Sequence, residues 1–207
     1  MKFVLLVEGN TEKESAAQFL KRWLDPQLKQ QVGIQIVRFS GYGELVRKIE
    51  TKAQMHLDGP QRTEIIGVIG LLDLYGPDFF PSGVTSAKDR VAWGVTHFQN
   101  AVNRAQFRMF FAVHEFEAWL LSQTEIFPRD VAAALDKFAQ PEQVNFTEPP
   151  ARLLDRLYKQ FRRKNYKKTT DGKLLFAKLD PAIATSKCPY LKVMLDEMLA
   201  MAKTAGL

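Results

Sequence analysis

Three acidic stretches carry most of the side chains that could do chemistry: Glu8-Gly9-Asn10-Thr11-Glu12, Asp73-Leu74-Tyr75-Gly76-Pro77-Asp78 and His114-Glu115-Phe116-Glu117. Each follows a short run rich in Val, Ile, Leu or Phe. Carboxylates gathered in one place repel unless a cation neutralises them, and an all-oxygen donor set suits Mg2+ or Mn2+. Glu8, Asp73, Asp78, Glu115 and Glu117 are therefore the candidate metal ligands. Such an ion lowers the pKa of a water and neutralises charge on a phosphate under attack. The inference is a divalent-metal site. Lys173, just past an Asp171-Gly172 turn, is either delivered to the scissile phosphate or simply exposed.

Each of these residues also has a plainer reading. Thr11 and Glu14 fit a capping box, which makes Glu14 structural, and Glu12 in the same first turn gains from the helix dipole whatever else it does. Glu8 precedes Gly9, where neither capping nor core packing calls for an acid. Asp73 could serve only to start a turn. Glu115 and Glu117 could complement a helix dipole, and His114 is a ligand, a general base or a satisfied buried histidine. His114 and Glu117, three apart, would share a helix face, with Glu115 pointing elsewhere. Phe116, Trp119, Leu120 and Leu121 read as core, and His56 and His97 lack a paired ligand. Ser40-Gly41-Tyr42-Gly43 could bring backbone N–H groups to a phosphate, but it matches neither a Walker loop nor the dinucleotide fingerprint.

The elements that must position these groups are legible in the apolar pattern. Phe3–Val7, Ile34–Phe39, Ile65–Leu72 and Phe107–Val113 are short runs suited to buried parallel strands, and helical spacings lie between them. The fold expected is α/β: a Rossmann-like open, mostly parallel four-stranded sheet flanked by helices. Ligands of such sheets collect beyond the carboxyl ends of the strands, where the acidic stretches fall. After Ser122 the pattern turns helical with Pro punctuation, predicting helices over residues 128–138, 150–163 and 190–202. Residues 1–123 form the expected core and 124–207 a helical extension packed on it.

With 207 residues, 46% of them apolar, the chain can bury a real core, which excludes intrinsic disorder. A single cysteine, Cys188, excludes an intramolecular disulfide and a multi-thiolate zinc site, and fits the cytoplasm. The apolar run ending at Val7 is too short for a signal-peptide core or a membrane span. The net charge of +6 is concentrated. Between Arg152 and Lys178, ten cations against Asp155 and Asp171 leave eight positive charges, and the rest of the chain is slightly negative. Clustered charge points to a polyanion such as nucleic acid, contacted by Arg156, Lys159, Arg162, Arg163, Lys164, Lys167 and Lys168. Tyr158, Phe161 and Tyr166 could stack on bases, or could face the core beside Leu153 and Leu157.

Val7-Glu8-Gly9-Asn10-Thr11-Glu12 followed by Leu72-Asp73-Leu74-Tyr75 resembles the Toprim domain of topoisomerases, bacterial primases and the overcoming-lysogenisation-defect nucleases. There, a Glu after strand one and an Asp-x-Asp after strand three hold Mg2+. With His114 to Leu121, Phe176-Ala177 to Asp180-Pro181 and Cys188-Pro189 included, the whole chain looks like a prokaryotic family called domain of unknown function 4276. The Toprim resemblance implies that Glu8 is the metal-associated acid and general base and Asp73 a metal ligand. It also implies an ATPase companion in defence against phage. Tyr75 stands where the second Asp belongs, so Asp78, Glu115 or Glu117 must supply that carboxylate or the site is weakened. The reading is a Mg2+- or Mn2+-dependent nuclease acting on DNA or RNA. The alternatives are a degenerate nucleic-acid-binding or regulatory subunit, and a phosphoryl-transfer enzyme working on a small ligand.

Overall fold

The structure is a computed structural model that describes residues 1–9, 12–135, 140–143 and 148–207, without the side chains of 12–14. Four strands, β1 (Lys2–Glu8), β2 (Gly33–Phe39), β3 (Ile65–Asp73) and β4 (Phe107–Ala112), form one all-parallel sheet in the order β2-β1-β3-β4. The α/β reading and its four strands hold, with ends shifted by a residue.

Helix α1 (Glu12–Leu24) connects β1 to β2, α2 (Tyr42–Leu57) connects β2 to β3, and α3 (Ala87–Val102) connects β3 to β4. Period-two alternation divides the core between two faces. Phe3, Leu5, Val7, Ile69 and Leu71 join α1 and the later helices, whereas Val4, Leu6, Val68 and Leu72 join α2 and α3. The central strands β1 and β3 are apolar on both sides for this reason, and the edge strand β2 is only half-buried.

The later helices are α4 (Arg129–Leu135), α5 (Pro150–Arg162), α6 (Lys173–Lys178), α7 (Pro181–Lys187) and α8 (Pro189–Thr204). The helix expected to reach Phe138 is described to Leu135, because 136–139 lie outside the described residues. α8 packs on β3 and β4. A Cβ at Gly67 would meet the Met201 side chain of α8 and stand 2.9 Å from the Gln106 carbonyl, so the close approach of helix to sheet requires glycine there. No helix among the described residues is long and apolar enough to cross a membrane.

Candidate functional site

Because β1 leads to one neighbour and β3 to the other, with α1 on one face and α2 and α3 on the opposite face, the sheet has its topological switch point between β1 and β3. Glu8 is the last residue of β1 and Asp73 the last of β3. Gly9 turns the chain out of β1 at φ 81, a conformation that favours glycine. Two of the acids chosen from sequence thus flank the crevice where open parallel sheets bind ligands.

Beyond β4 the chain bends at Val113 and His114, Glu115 is extended, and a 3-10 helix covers Phe116–Ser122. The helix face expected to pair His114 with Glu117 therefore does not exist: His114 and Glu115 precede the helix. Each carboxylate instead finds its own partner. Asp73 Oδ1 accepts the Phe116 N–H at 2.9 Å. Glu115 Oε2 accepts the Ala151 N–H at 2.7 Å, at the start of α5, where Pro149 offers no side-chain cap. Glu117, only 2% exposed, receives the Lys168 ammonium on Oε2 at 2.9 Å. Phe116, Trp119, Leu120 and Leu121 are buried in the core as expected.

Lys168 is the group that ties the cluster together. Burial works to lower its pKa, but the charges of Glu117, Asp73 and Glu115 overcome that and hold the ammonium above its ordinary value. Glu8 feels the same cation. Burial raises the Glu8 pKa, while the Tyr42 N–H and Lys168 oppose the rise. Wholly buried Glu117 is likewise raised by burial, against the pull of Lys168. Sequence reasoning placed Lys168 among the surface phosphate contacts and nominated Lys173 for this position. Lys173 opens α6, exposed, and lines a hollow of about 400 Å³ with Ser15, Gln18, Ile34, Ile36 and Phe176, beside the edge strand β2.

A divalent ion is implied by the Toprim resemblance, and the donors suit one in chemistry: they are all carboxylates. Four of them against one ammonium also leave an excess of three negative charges when all are ionised. Among the described residues, however, no three His, Cys, Asp or Glu side chains converge into a ligand set. The pleat gives the reason. Glu8 continues the parity of Val4 and Leu6, toward α2, whereas Asp73 continues that of Ile69 and Leu71, toward the opposite face. The fit is one of charge and donor type, with the ligand set not assembled in this conformation.

The remaining candidates sit around this centre. Asp78 accepts the Tyr42 phenol at 2.9 Å, so Tyr42 links it to Glu8. The Tyr75 N–H donates to the His114 carbonyl at 2.7 Å, clamping the loop after β3 to the one after β4. His114 is buried, and burial, with Arg90 nearby, lowers its pKa. Glu12 begins α1, but its side chain, like that of Glu14, is not described, and Thr11 lies outside the described residues. In the Ser40–Gly43 loop, two of the backbone N–H groups are already taken. Glu44 accepts the Ser40 N–H and the Ser40 hydroxyl, and Glu8 accepts the Tyr42 N–H.

The basic segment is more compensated than its composition suggests. Arg156 pairs with Glu148, Lys159 with Asp155, Arg162 with Asp130 and Lys164 with Asp171. Tyr158 and Tyr166 are buried and stack edge-on upon each other, so neither is a platform for bases, while Phe161 is 38% exposed. Arg163, Lys164 and Lys167 are exposed, Lys164 on its partner Asp171. Charge was legible in the sequence; which aromatic faces inward was settled by the packing of α5.

No curated protein and no solved structure matches the chain. One family model does, over residues 7–199, which takes in the end of β1 with Glu8, the His114–Glu117 loop and Lys168. The chain belongs to the family described as domain of unknown function DUF4276.

Proposed function

We propose that the chain is a Mg2+- or Mn2+-dependent nuclease of Toprim type, cleaving phosphodiester bonds of DNA or RNA at the rim formed by Glu8, Asp73, Glu115 and Glu117. The observation that carries this reading is that β1 and β3 end in Glu8 and Asp73 on either side of the switch point, with Lys168, paired to Glu117, in the field of both. When bound, the ion would be held by these carboxylates and would activate water and offset phosphate charge. Glu8, with its raised proton affinity, takes the proton from the attacking water. Lys168 faces the negative charge that builds on the phosphate, and Arg163, Lys164 and Lys167 hold the flanking backbone. An ATPase companion, a role against phage and a cytoplasmic setting belong to the same reading through the Toprim resemblance.

A second reading is a binding or regulatory subunit without turnover. It is favoured by Tyr75 at the second acidic position and by the unassembled ligand set. The two separate in one experiment: labelled single- and double-stranded DNA and RNA incubated with Mg2+, Mn2+ or chelator, and with wild type, Glu8→Gln and Asp73→Asn. Metal-dependent cutting lost in both variants supports the nuclease. Salt-sensitive binding without cutting in any condition overturns it in favour of the subunit.

A further inference from the structure

The two edges of the sheet are finished differently. Along β4 the backbone groups of Phe107, Met109 and Phe111 face away from β3, since the Gln106 and Ala112 carbonyls take the Val68 and Leu74 N–H groups. Side chains guard that edge: Met109 donates its N–H to Gln99 Oε1 at 3.4 Å, and the Arg108 guanidinium donates to the Phe107 carbonyl at 2.9 Å. Along β2 the Gly33 N–H donates to the Met1 carbonyl and the Phe39 carbonyl takes the Gly9 N–H, with the register unbroken in between. Gly33, Gln35, Val37 and Phe39 therefore face β1, and the backbone groups of Ile34 and Ile36 point out of the sheet. β2 is the last strand on this side, and neither isoleucine's N–H or carbonyl meets a partner among the described residues.

Proteins ordinarily blunt such an edge with a proline, a lysine, a bulge or a covering element. β2 reads Gly33-Ile34-Gln35-Ile36-Val37-Arg38-Phe39, with no proline or lysine and no break in its pairing with β1. Alongside it lies the hollow of about 400 Å³, walled by Ile34 and Ile36 of β2, Ala17 and Gln18 of α1, and Phe176 and Ala177 of α6. An open row of backbone donors and acceptors thus runs beside an apolar recess.

We propose that β2 and this hollow receive an extended segment of another protein, which adds to the sheet as a fifth strand beside Ile34 and Ile36 and sets alternate aliphatic side chains in the hollow. Outward N–H and C=O groups at every second residue are matched by a β-strand, whose own pleat sends every second side chain to the face of Ile34 and Ile36. The charge of the segment follows from the same face. Arg38 shares the parity of the two isoleucines and Lys173 lines the hollow, so a carboxylate beyond the aliphatic pair is the fitting neighbour. A second copy of this chain is the poorer occupant. Pairing β2 antiparallel with its own copy needs a two-fold axis normal to the sheet, which keeps like faces together and brings both α6 helices, with their Lys173 side chains, over one seam. The proposal goes beyond the nuclease reading and needs no cleavage for its test.

The test is amide NMR of the full isotope-labelled chain with a capped peptide, Thr-Ile-Thr-Ile-Thr-Glu-Thr, and with its scramble, Ile-Ile-Thr-Glu-Thr-Thr-Thr, which breaks the alternation. In the free chain the Ile34 and Ile36 amides should exchange with solvent faster than those of Gln35 and Val37, whatever the protein concentration. The alternating peptide at millimolar concentration should shift the Ile34 and Ile36 signals and slow their exchange, and the scramble should do neither. Ile36→Pro removes one outward N–H without touching the bonds to β1, and Ile36→Lys installs a guard, so each is expected to weaken peptide binding about tenfold or more. Circular dichroism checks that both variants fold, and if neither does, the contrast between peptide and scramble on wild type decides alone. No protection by the peptide, or equal effects of peptide and scramble, overturns the proposal. Protection of Ile34 and Ile36 that grows with protein concentration, without peptide, assigns the edge to a second copy and also overturns it.

Discussion

Asp73 Oδ1 accepts the N–H of Phe116 at 2.9 Å, so the last residue of β3 fixes the first turn of the 3-10 helix that carries Glu117. One carboxylate at the switch point thereby sets the position of another. A substitution at Asp73 acts on architecture as well as on charge, which shapes how it should be tested.

Asp73→Ala leaves the Phe116 N–H without its acceptor and should cost about 1–3 kcal/mol of stability. Asp73→Asn keeps an oxygen in the same place and should cost less, while removing the negative charge. Urea unfolding of the two variants, set beside their cleavage activity, separates the roles: both are expected to be inactive, but only Asp73→Ala markedly destabilised. An active Asp73→Asn would remove the Asp73 charge from the mechanism.

Lys168→Met strands Glu117 in the core. Breaking a buried pair costs about 3–5 kcal/mol, and the partly exposed lysine puts this one at the low end. Burial already raises the Glu117 pKa, and removing Lys168 raises it further. The loss should therefore be large at neutral and alkaline pH and shrink in acid, as Glu117 takes up a proton and no longer needs a cation. Thermal unfolding across pH checks this, and a loss independent of pH would show that the pair is not what Lys168→Met breaks.

Glu142 accepts the N–H groups of Tyr190 and Leu191 at 2.9 and 3.2 Å, at the start of α8. Burial outweighs those two donors and pushes its pKa up from 4.5 to about 7. Between these values the folded chain holds a proton that the unfolded chain has released, so stability falls as pH rises through the window and is level on either side. The expected fall is about 3 kcal/mol. Glu8 and Glu117 shift in the same direction and add to the slope, so the difference between wild type and Glu142→Gln in melts from mildly acidic to mildly alkaline buffer isolates Glu142.

Cys188 joins α7 to α8 and is fully buried, and burial, with the charge of Glu142, pushes its thiol pKa up. Its thiolate is therefore scarce and inaccessible in the folded chain. Ellman's reagent should leave it unmodified under native conditions and react at the rate of unfolding in denaturant. Rapid native reaction would mean that the α7–α8 junction opens on its own.

Local sequence was enough to place the strands and several of the acids. The runs at Phe3–Val7 and Ile65–Leu72 are apolar on both faces because β1 and β3 are covered on both sides, and that property can be read residue by residue. Glu8 stood out because neither capping nor core packing calls for an acid there, and Asp73 because it ends a strand beside a second acidic strand end. The turn from β4 was misread because the segment after it is held by partners distant in sequence, Asp73 on the Phe116 N–H and Ala151 on Glu115, which no local pattern announces. Tyr158 on α5 and Tyr166 beyond its end looked available to bases because the segment is cationic all along, yet packing turned both rings inward.

The sequence by itself determined the class of fold, the rim on which chemistry could occur and the sign of its charge, since these follow from periodicity and residue type along a few neighbouring positions. Tertiary structure alone decided the strand order that makes β1 and β3 the switch point, and the pairing of Lys168 with a carboxylate 51 residues away. Coulomb energy depends on distance in space, and for residues so far apart along the chain that distance exists only once the helices have packed on the sheet.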